Sequence, residues 1–219
     1  LFALHTATGV PVWSKPLGSL YGRSPVIDGS LVYIIADSLY CLDLMTGATV
    51  WNYRTISTTT PAVDEEHVYA FFGNRIHVVD KKTGQFKYTM SISGRKHISI
   101  CAEGGKIFCH DSGAVVCRDA EDGRTIWSHP LEDNTITLSD LSEGQLAVSD
   151  NYVCFTVWKN VNGNGQVFVL DRADGKRLWD VELAGEGVYS PTIANNVAYM
   201  CEYAIGDLLV FDLATGNVL

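Results

Sequence analysis

Hydrophobic and polar positions alternate along most of this chain. Leu31-Val32-Tyr33-Ile34, His67-Val68-Tyr69-Ala70 and Asn196-Val197-Ala198-Tyr199 are short runs rich in β-branched and aromatic residues. That period predicts β-strands, and no window sustains a helical one. Ser24-Pro25-Val26-Ile27, Thr60-Pro61-Ala62-Val63 and Ser190-Pro191-Thr192-Ile193 precede these runs. Their prolines are expected at strand starts, where a missing N–H is tolerated.

One phrase returns six times, roughly A-x-D-x-x-T-G-x-x-x-W, beginning at Ala3, Cys41, Val78, Cys117, Val169 and Val210. Its glycines, Gly9, Gly47, Gly84, Gly123, Gly175 and Gly216, are 38, 37, 39, 52 and 41 residues apart. Five copies keep an acidic residue, at Asp43, Asp80, Asp119, Asp171 and Asp212, and the first carries His5. The aromatic end is Trp13, Trp51, Tyr88, Trp127 and Trp179. Each Asp is expected to end a strand and accept N–H groups of the following turn. Each Gly can take the positive φ that closes such a hairpin loop.

About 40 residues hold four strands of ~5–6 residues with their turns. A four-stranded sheet cannot bury both faces alone, so neighbouring units must stack. Four-stranded antiparallel units at this spacing predict an all-β chain, a β-propeller of such blades, forming one domain over residues 1–219. Residues 1–17 supply the last two strands of a blade. Full blades are expected over about 24–55, 60–91, 97–129 and 139–184, and residues 190–219 supply three strands and part of a fourth.

Composition narrows the function classes. Of 219 residues, 47% are hydrophobic and 19% charged, with a net charge of −9. This fits a packed domain and argues against nucleic-acid binding, which needs clustered Lys and Arg. The longest apolar runs are far short of the ~20 residues of a membrane helix. The small basic groups Arg75, Lys81-Lys82, Arg95-Lys96 and Lys176-Arg177 read as surface solubility.

These copies resemble the tryptophan-docking repeat of the quinoprotein-like propellers. That group includes PQQ-dependent alcohol dehydrogenases and non-enzymatic relatives such as the BamB-type assembly lipoproteins and receptor-kinase ectodomains. The resemblance covers the whole chain. It implies that Trp13, Trp51, Trp127 and Trp179 pack between adjacent blades, with Tyr88 as a departure. It also implies that the small residue heading each copy sits beneath a neighbour's ring. Family rings usually have seven or eight blades, so the expectation is a stretch of a larger ring and a larger polypeptide or assembly. The implied compartment is periplasmic or secreted.

The resemblance fixes the fold and not an activity. The PQQ enzymes carry adjacent cysteines, calcium ligands and a catalytic Asp, whereas the cysteines here stand isolated at 41, 101, 109, 117, 154 and 201. That disfavours PQQ with calcium and a catalytic quinoprotein. Cys101 and Cys109 are expected to be offset across a hairpin, and buried free thiols are the simpler reading. Neighbouring strand residues face opposite ways, so Cys109-His110-Asp111 is not expected to bind one metal. Asn160-Val161-Asn162-Gly163-Asn164-Gly165 reads as a turn. The long fourth interval carries Glu132, Asp133, Asp140 and Glu143, and insertions in repeat proteins often lie on the binding face. These acidic residues are the candidate partner loop. The leading expectation is a non-catalytic interaction or scaffolding propeller with a protein partner. A PQQ-dependent alcohol or sugar dehydrogenase fragment and a ligand-sensing ectodomain stand as alternatives.

Overall fold

Strand β4 (Leu31–Ile35) shows how the alternation is used. Tyr33 and Ile35 lie in one apolar cluster with Val68, Ala70 and Val79, while Val32 and Ile34 lie in another with Trp13 and Leu17. Successive side chains thus feed opposite faces, and both faces are covered by a neighbouring sheet. The computed structural model describes all residues except 19–23, 56–58, 94–98, 112, 132–145, 159–163, 187–189 and 202–205.

The described residues form six antiparallel meanders. Sheet I holds β1 (Phe2–Leu4) and β2 (Pro11–Ser14). Sheet II holds β3 (Val26–Asp28), β4, β5 (Leu39–Asp43) and β6 (Thr49–Tyr53). Sheet III holds β7 (Ala62–Val63), β8 (His67–Phe72), β9 (Arg75–Asp80) and β10 (Phe86–Ser91). Sheet IV holds β11 (Ile100–Glu103), β12 (Lys106–Asp111), β13 (Ala114–Asp119) and β14 (Thr125–Pro130). Sheet V holds β15 (Leu146–Val148), β16 (Tyr152–Trp158), β17 (Asn164–Asp171) and β18 (Arg177–Glu186). Sheet VI holds β19 (Thr192–Ala194), β20 (Val197–Cys201) and β21 (Leu208–Asp212), and a bridge from Phe211 to Val218 begins its fourth strand. Sheets I–III belong to one compact unit, Leu1–Ile92, and sheets IV–VI to a second, Ser93–Leu219. In the second unit Phe108, Val115, Cys117 and Trp127 of sheet IV pack on Phe155, Phe168 and Leu170 of sheet V. The other face of sheet V meets sheet VI through Cys154, Val167, Val169, Met200 and Phe211. Full burial of each such Val, Leu or Phe is worth roughly 1.5–3 kcal/mol.

The repeated phrase builds one turn many times. The Asp43 Oδ1 accepts the N–H of Met45 (3.1 Å), the N–H of Thr46 (2.8 Å) and the Thr46 hydroxyl (2.7 Å). Asp80 and Asp212 do the same with Thr83 and Thr215, while Asp119 and Asp171 hold the N–H groups of Glu121 and Ala173. The hydrogen bonds from Thr83 lead in holding the Asp80 carboxyl at about 2. Gly47, Gly84, Gly175 and Gly216 close these turns at φ 69, 69, 73 and 74.

Past the turn, every ladder that continues beyond it carries the same bulge. Cys41 faces Trp51 and Leu42 faces Thr49, so Val50 is the extra residue. Val12, Lys87, Ile126 and Leu178 are the extra residues of the other copies. The bulge turns that residue to solvent and the following aromatic into the seam.

There the indole meets a glycine of the next sheet. A Cβ on Gly47 would lie 2.7 Å from the Trp13 ring, and one on Gly84 2.6 Å from the Trp51 ring. Gly175 stands 2.5 Å from Trp127 on the same measure, and Gly216 2.9 Å from Trp179. Gly84→Ala must therefore displace the ring as well as strain the backbone. Gly73, at φ 63 with nothing within 4 Å, isolates the backbone contribution. Gly73→Ala is expected to cost ~1–2 kcal/mol, and Gly84→Ala a further ~1–3 kcal/mol from overpacking. Urea unfolding of both variants measures the difference, and equal costs would show that the ring contact contributes nothing.

Candidate interaction site

Each seam also carries a hydrogen bond that the turn aims. The residue after the repeat Asp donates its N–H to the first hairpin turn of its own sheet, as Leu44 does to Ser30 O (2.8 Å) and Arg172 to Asn151 O (2.9 Å). Its carbonyl then accepts the neighbouring indole. Trp13 Nε1 donates to Leu44 O (2.9 Å), Trp51 to Lys81 O (3.0 Å), Trp127 to Arg172 O (3.0 Å) and Trp179 to Leu213 O (2.8 Å). Tyr88 occupies the equivalent register position, opposite Val78. Glu132, Asp133, Asp140 and Glu143 lie outside the described residues, within the connection from β14 to β15.

Two readings of the sequence need correction. The residue heading each copy does not sit beneath a neighbour's ring. Ala3, Cys41, Cys117 and Val169 face their own sheet's Trp across the ladder, and the next sheet's glycine lies against that ring. Lys81 does not stand free in solvent for solubility either. Its Nζ donates to Asp64 O (2.7 Å) and pairs with Asp28 at the end of β3 in the preceding sheet. Arg172 does likewise, donating to Ser149 O (3.0 Å) in its own sheet and Glu103 O (3.0 Å) in sheet IV. Its guanidinium also sits 5.6 Å from the Phe108 ring centre. A cation after the repeat Asp thus ties its turn to the sheet before. No local pattern marks these partners, which are 53 and 69 residues away.

The reactive side chains are mostly inert here. All six cysteines are free. Cys101 faces Phe108 and Ile100 faces Cys109, the offset expected from the hairpin. Burial pushes the thiols of Cys109 and Cys154 up to about 12, which suppresses the reactive thiolate. Cys201 is exposed. Asp111 holds Arg118 and the N–H of Ser93 (2.8 Å), while His110 points the other way, its ring edge toward Phe155 at 6.0 Å. Neither His110 ring nitrogen has a partner among the described residues, and burial pushes the imidazole down to about 4. No three His, Cys, Asp or Glu side chains converge on a metal site among the described residues.

A contiguous set of rings lies in the first unit where sheets II and III meet, with Phe72 and Phe86 exposed and Tyr53 and His77 half-buried. Tyr53 stacks on Phe86 with ring centres 6.5 Å apart. The His77 ring lies 5.7 Å from Phe72 and 6.2 Å from Phe86, both near edge-on, and its Nδ1 is 2.9 Å from the Tyr53 hydroxyl. Phe72 is 43% exposed and Phe86 51%. Exposed Val50, Ile126 and Leu178 are isolated bulge residues, of the kind that need no explanation. Four adjoining rings do, and nothing in the sequence pattern brings residues 53, 72, 77 and 86 together.

Comparison with known proteins places the fold. Residues 1–100 and 111–219 match the PQQ-like repeat family described as outer membrane protein assembly factor BamB. BamB of Moraxella catarrhalis is similar in structure, with a TM-score of 0.69 and 20% identity, over 100% of this chain and 68% of that one. A quinohemoprotein alcohol dehydrogenase from Pseudomonas putida HK5 gives a TM-score of 0.63 and 16% identity, over 93% of this chain and 42% of that one. Kuenenia stuttgartiensis hydrazine synthase gives 0.68 and 12%, over 96% and 66%. At these identities the likeness establishes a β-propeller fold. No curated protein matches in sequence.

His110 yields a pH prediction. Its imidazole titrates near ~6.5 in an unfolded chain and at about 4 in the fold. Between these values the unfolded state binds the extra proton, so stability is expected to fall as pH drops from ~6.5 toward 4 and to level off below. The Asp80 contribution, from a lowered carboxyl, is lost only as pH falls from ~3.8 toward 2. His110→Phe should shrink the loss in the upper window, leaving the share of His77, whose imidazole burial also holds low, and should not change the lower window. Denaturation midpoints at pH 7, 5.5 and 4.5 check this, and parallel losses in wild type and variant would contradict it.

Proposed function

The chain belongs to this family of PQQ-like repeat propellers, and on that premise we propose that it is a non-catalytic interaction scaffold that binds a protein partner. The observation carrying this reading is the contiguous ring cluster of Tyr53, Phe72, His77 and Phe86, two of whose rings are exposed. A contiguous aromatic patch fits a protein contact better than solvation alone. The family's description names outer membrane protein assembly, which supports an extracytoplasmic place for this chain. No helix among the described residues is long and apolar enough to cross a membrane.

PQQ with calcium does not fit the described residues. The repeat carboxylates Asp43, Asp80 and Asp212 are engaged by the N–H and hydroxyl groups of their own turns. No cluster of three potential ligands gathers elsewhere among those residues.

The acidic insertion is proposed as a second contact, because it lengthens one sheet-to-sheet connection without entering a repeat turn. Deleting 132–138 should weaken partner binding at least tenfold while leaving the urea midpoint within error of wild type. Binding of an identified partner that is unchanged by the deletion would remove the insertion from the interface.

A further inference from the structure

We propose that the ring cluster on sheets II and III docks an extended, acidic segment of the partner that carries an aromatic side chain. This deepens the interaction reading above and rests on it. Arg75 faces Phe72 across the β8–β9 ladder, so the two side chains share a face, and His77 follows two residues on. Its Nη1 donates to Thr89 Oγ1 at 3.3 Å.

Arg75 differs from the ion-paired cations of this chain. Lys81, Lys87, Arg118, Arg124, Arg172 and Lys176 each hold a carboxylate. Arg75 is exposed and holds none among the described residues, in a chain of net charge −9. Such a guanidinium beside exposed rings is a ready receptor for a partner's carboxylate. The rings supply offset and edge-on positions for an incoming aromatic.

The backbone argues for an extended partner. β10 is the edge strand of sheet III, so its outer N–H and C=O groups have no ladder partner in that sheet. A segment laid along β10 would continue the sheet while its alternate side chains reach Phe86 and Arg75. Lys87, exposed on the same strand, disfavours a basic segment. His77 adds no charge at neutral pH, since burial and then Arg75 push its imidazole below the ordinary value. The acidic preference at this cluster thus falls to Arg75, with Lys87 at its margin.

A synthetic probe tests this on the whole chain. The peptide acetyl-Asp-Phe-Glu-Trp-Asp-amide is titrated against the protein by NMR, beside a control with lysine at each acidic position. Saturable, salt-weakened binding of the acidic peptide is expected, with shifts centred on Phe72, Arg75, His77 and Phe86. Arg75→Glu and Phe86→Ser should each weaken it at least tenfold, and Arg75→Glu should favour the lysine control. Unchanged urea midpoints certify both exposed variants, and Arg75→Glu decides alone if Phe86→Ser loses its fold. Absence of saturable binding, or binding that neither variant moves, overturns the assignment. A partner held equally by wild type and Arg75→Glu would sink this surface and leave the interaction reading standing. A wild-type chain that holds no protein at all would sink that reading instead.

Discussion

An indole can lie against a neighbouring turn only where that turn carries no Cβ. The four Trp–Gly contacts meet this condition, with ring atoms where a methyl group would have to go. Most other repeated features serve that meeting. The Asp carboxylate organises the turn, the glycine closes it with positive φ, and the bulge rotates the aromatic toward the next sheet. The N–H after the Asp is fixed to the first hairpin, which aims its carbonyl at the indole. Sheets II and V thereby gain cover for both faces, which no four-stranded meander can supply by itself.

That arrangement also explains what the frame leaves free. Carboxylates and hydroxyls of the repeat are occupied by their turns, and buried thiols are held protonated. Chemistry at the surface must come from side chains that the turns do not occupy. In the first unit the ring cluster stands beside a guanidinium that holds no carboxylate among the described residues. Partner recognition is therefore a property of the seams and connections and not of the recurring Asp, Gly and Trp positions.

The strands, the sheets and the turn geometry were legible because they are local. Pro25, Pro61 and Pro191 immediately precede β3, β7 and β19, and the Asp-to-Gly spacing lands on the hairpins. The alternation also foretold that Cys109 and His110 would face opposite ways. Contacts between sheets were much less legible. Lys81 with Asp28 and Arg172 with Glu103 join residues far apart in sequence. Cys41 faces Trp51 of its own sheet because a one-residue bulge sets that pairing, which the alternation does not reveal. The ring cluster draws on β6, β8, β9 and β10, and no periodicity connects four strands of two sheets. Glu132, Asp133, Asp140 and Glu143 lie outside the described residues, so that part of the reading rests on sequence alone.

Native-state hydrogen exchange at the indole nitrogens tests the seam most directly. Trp13, Trp51, Trp127 and Trp179 each donate to a carbonyl of the next sheet at 2.8–3.0 Å. Their Nε1–H resonances, assigned by single Trp→Phe variants, should exchange at least a hundredfold more slowly than free indole. Exchange at the free-indole rate for all four would contradict the account, because rings open to water cannot hold one sheet against another.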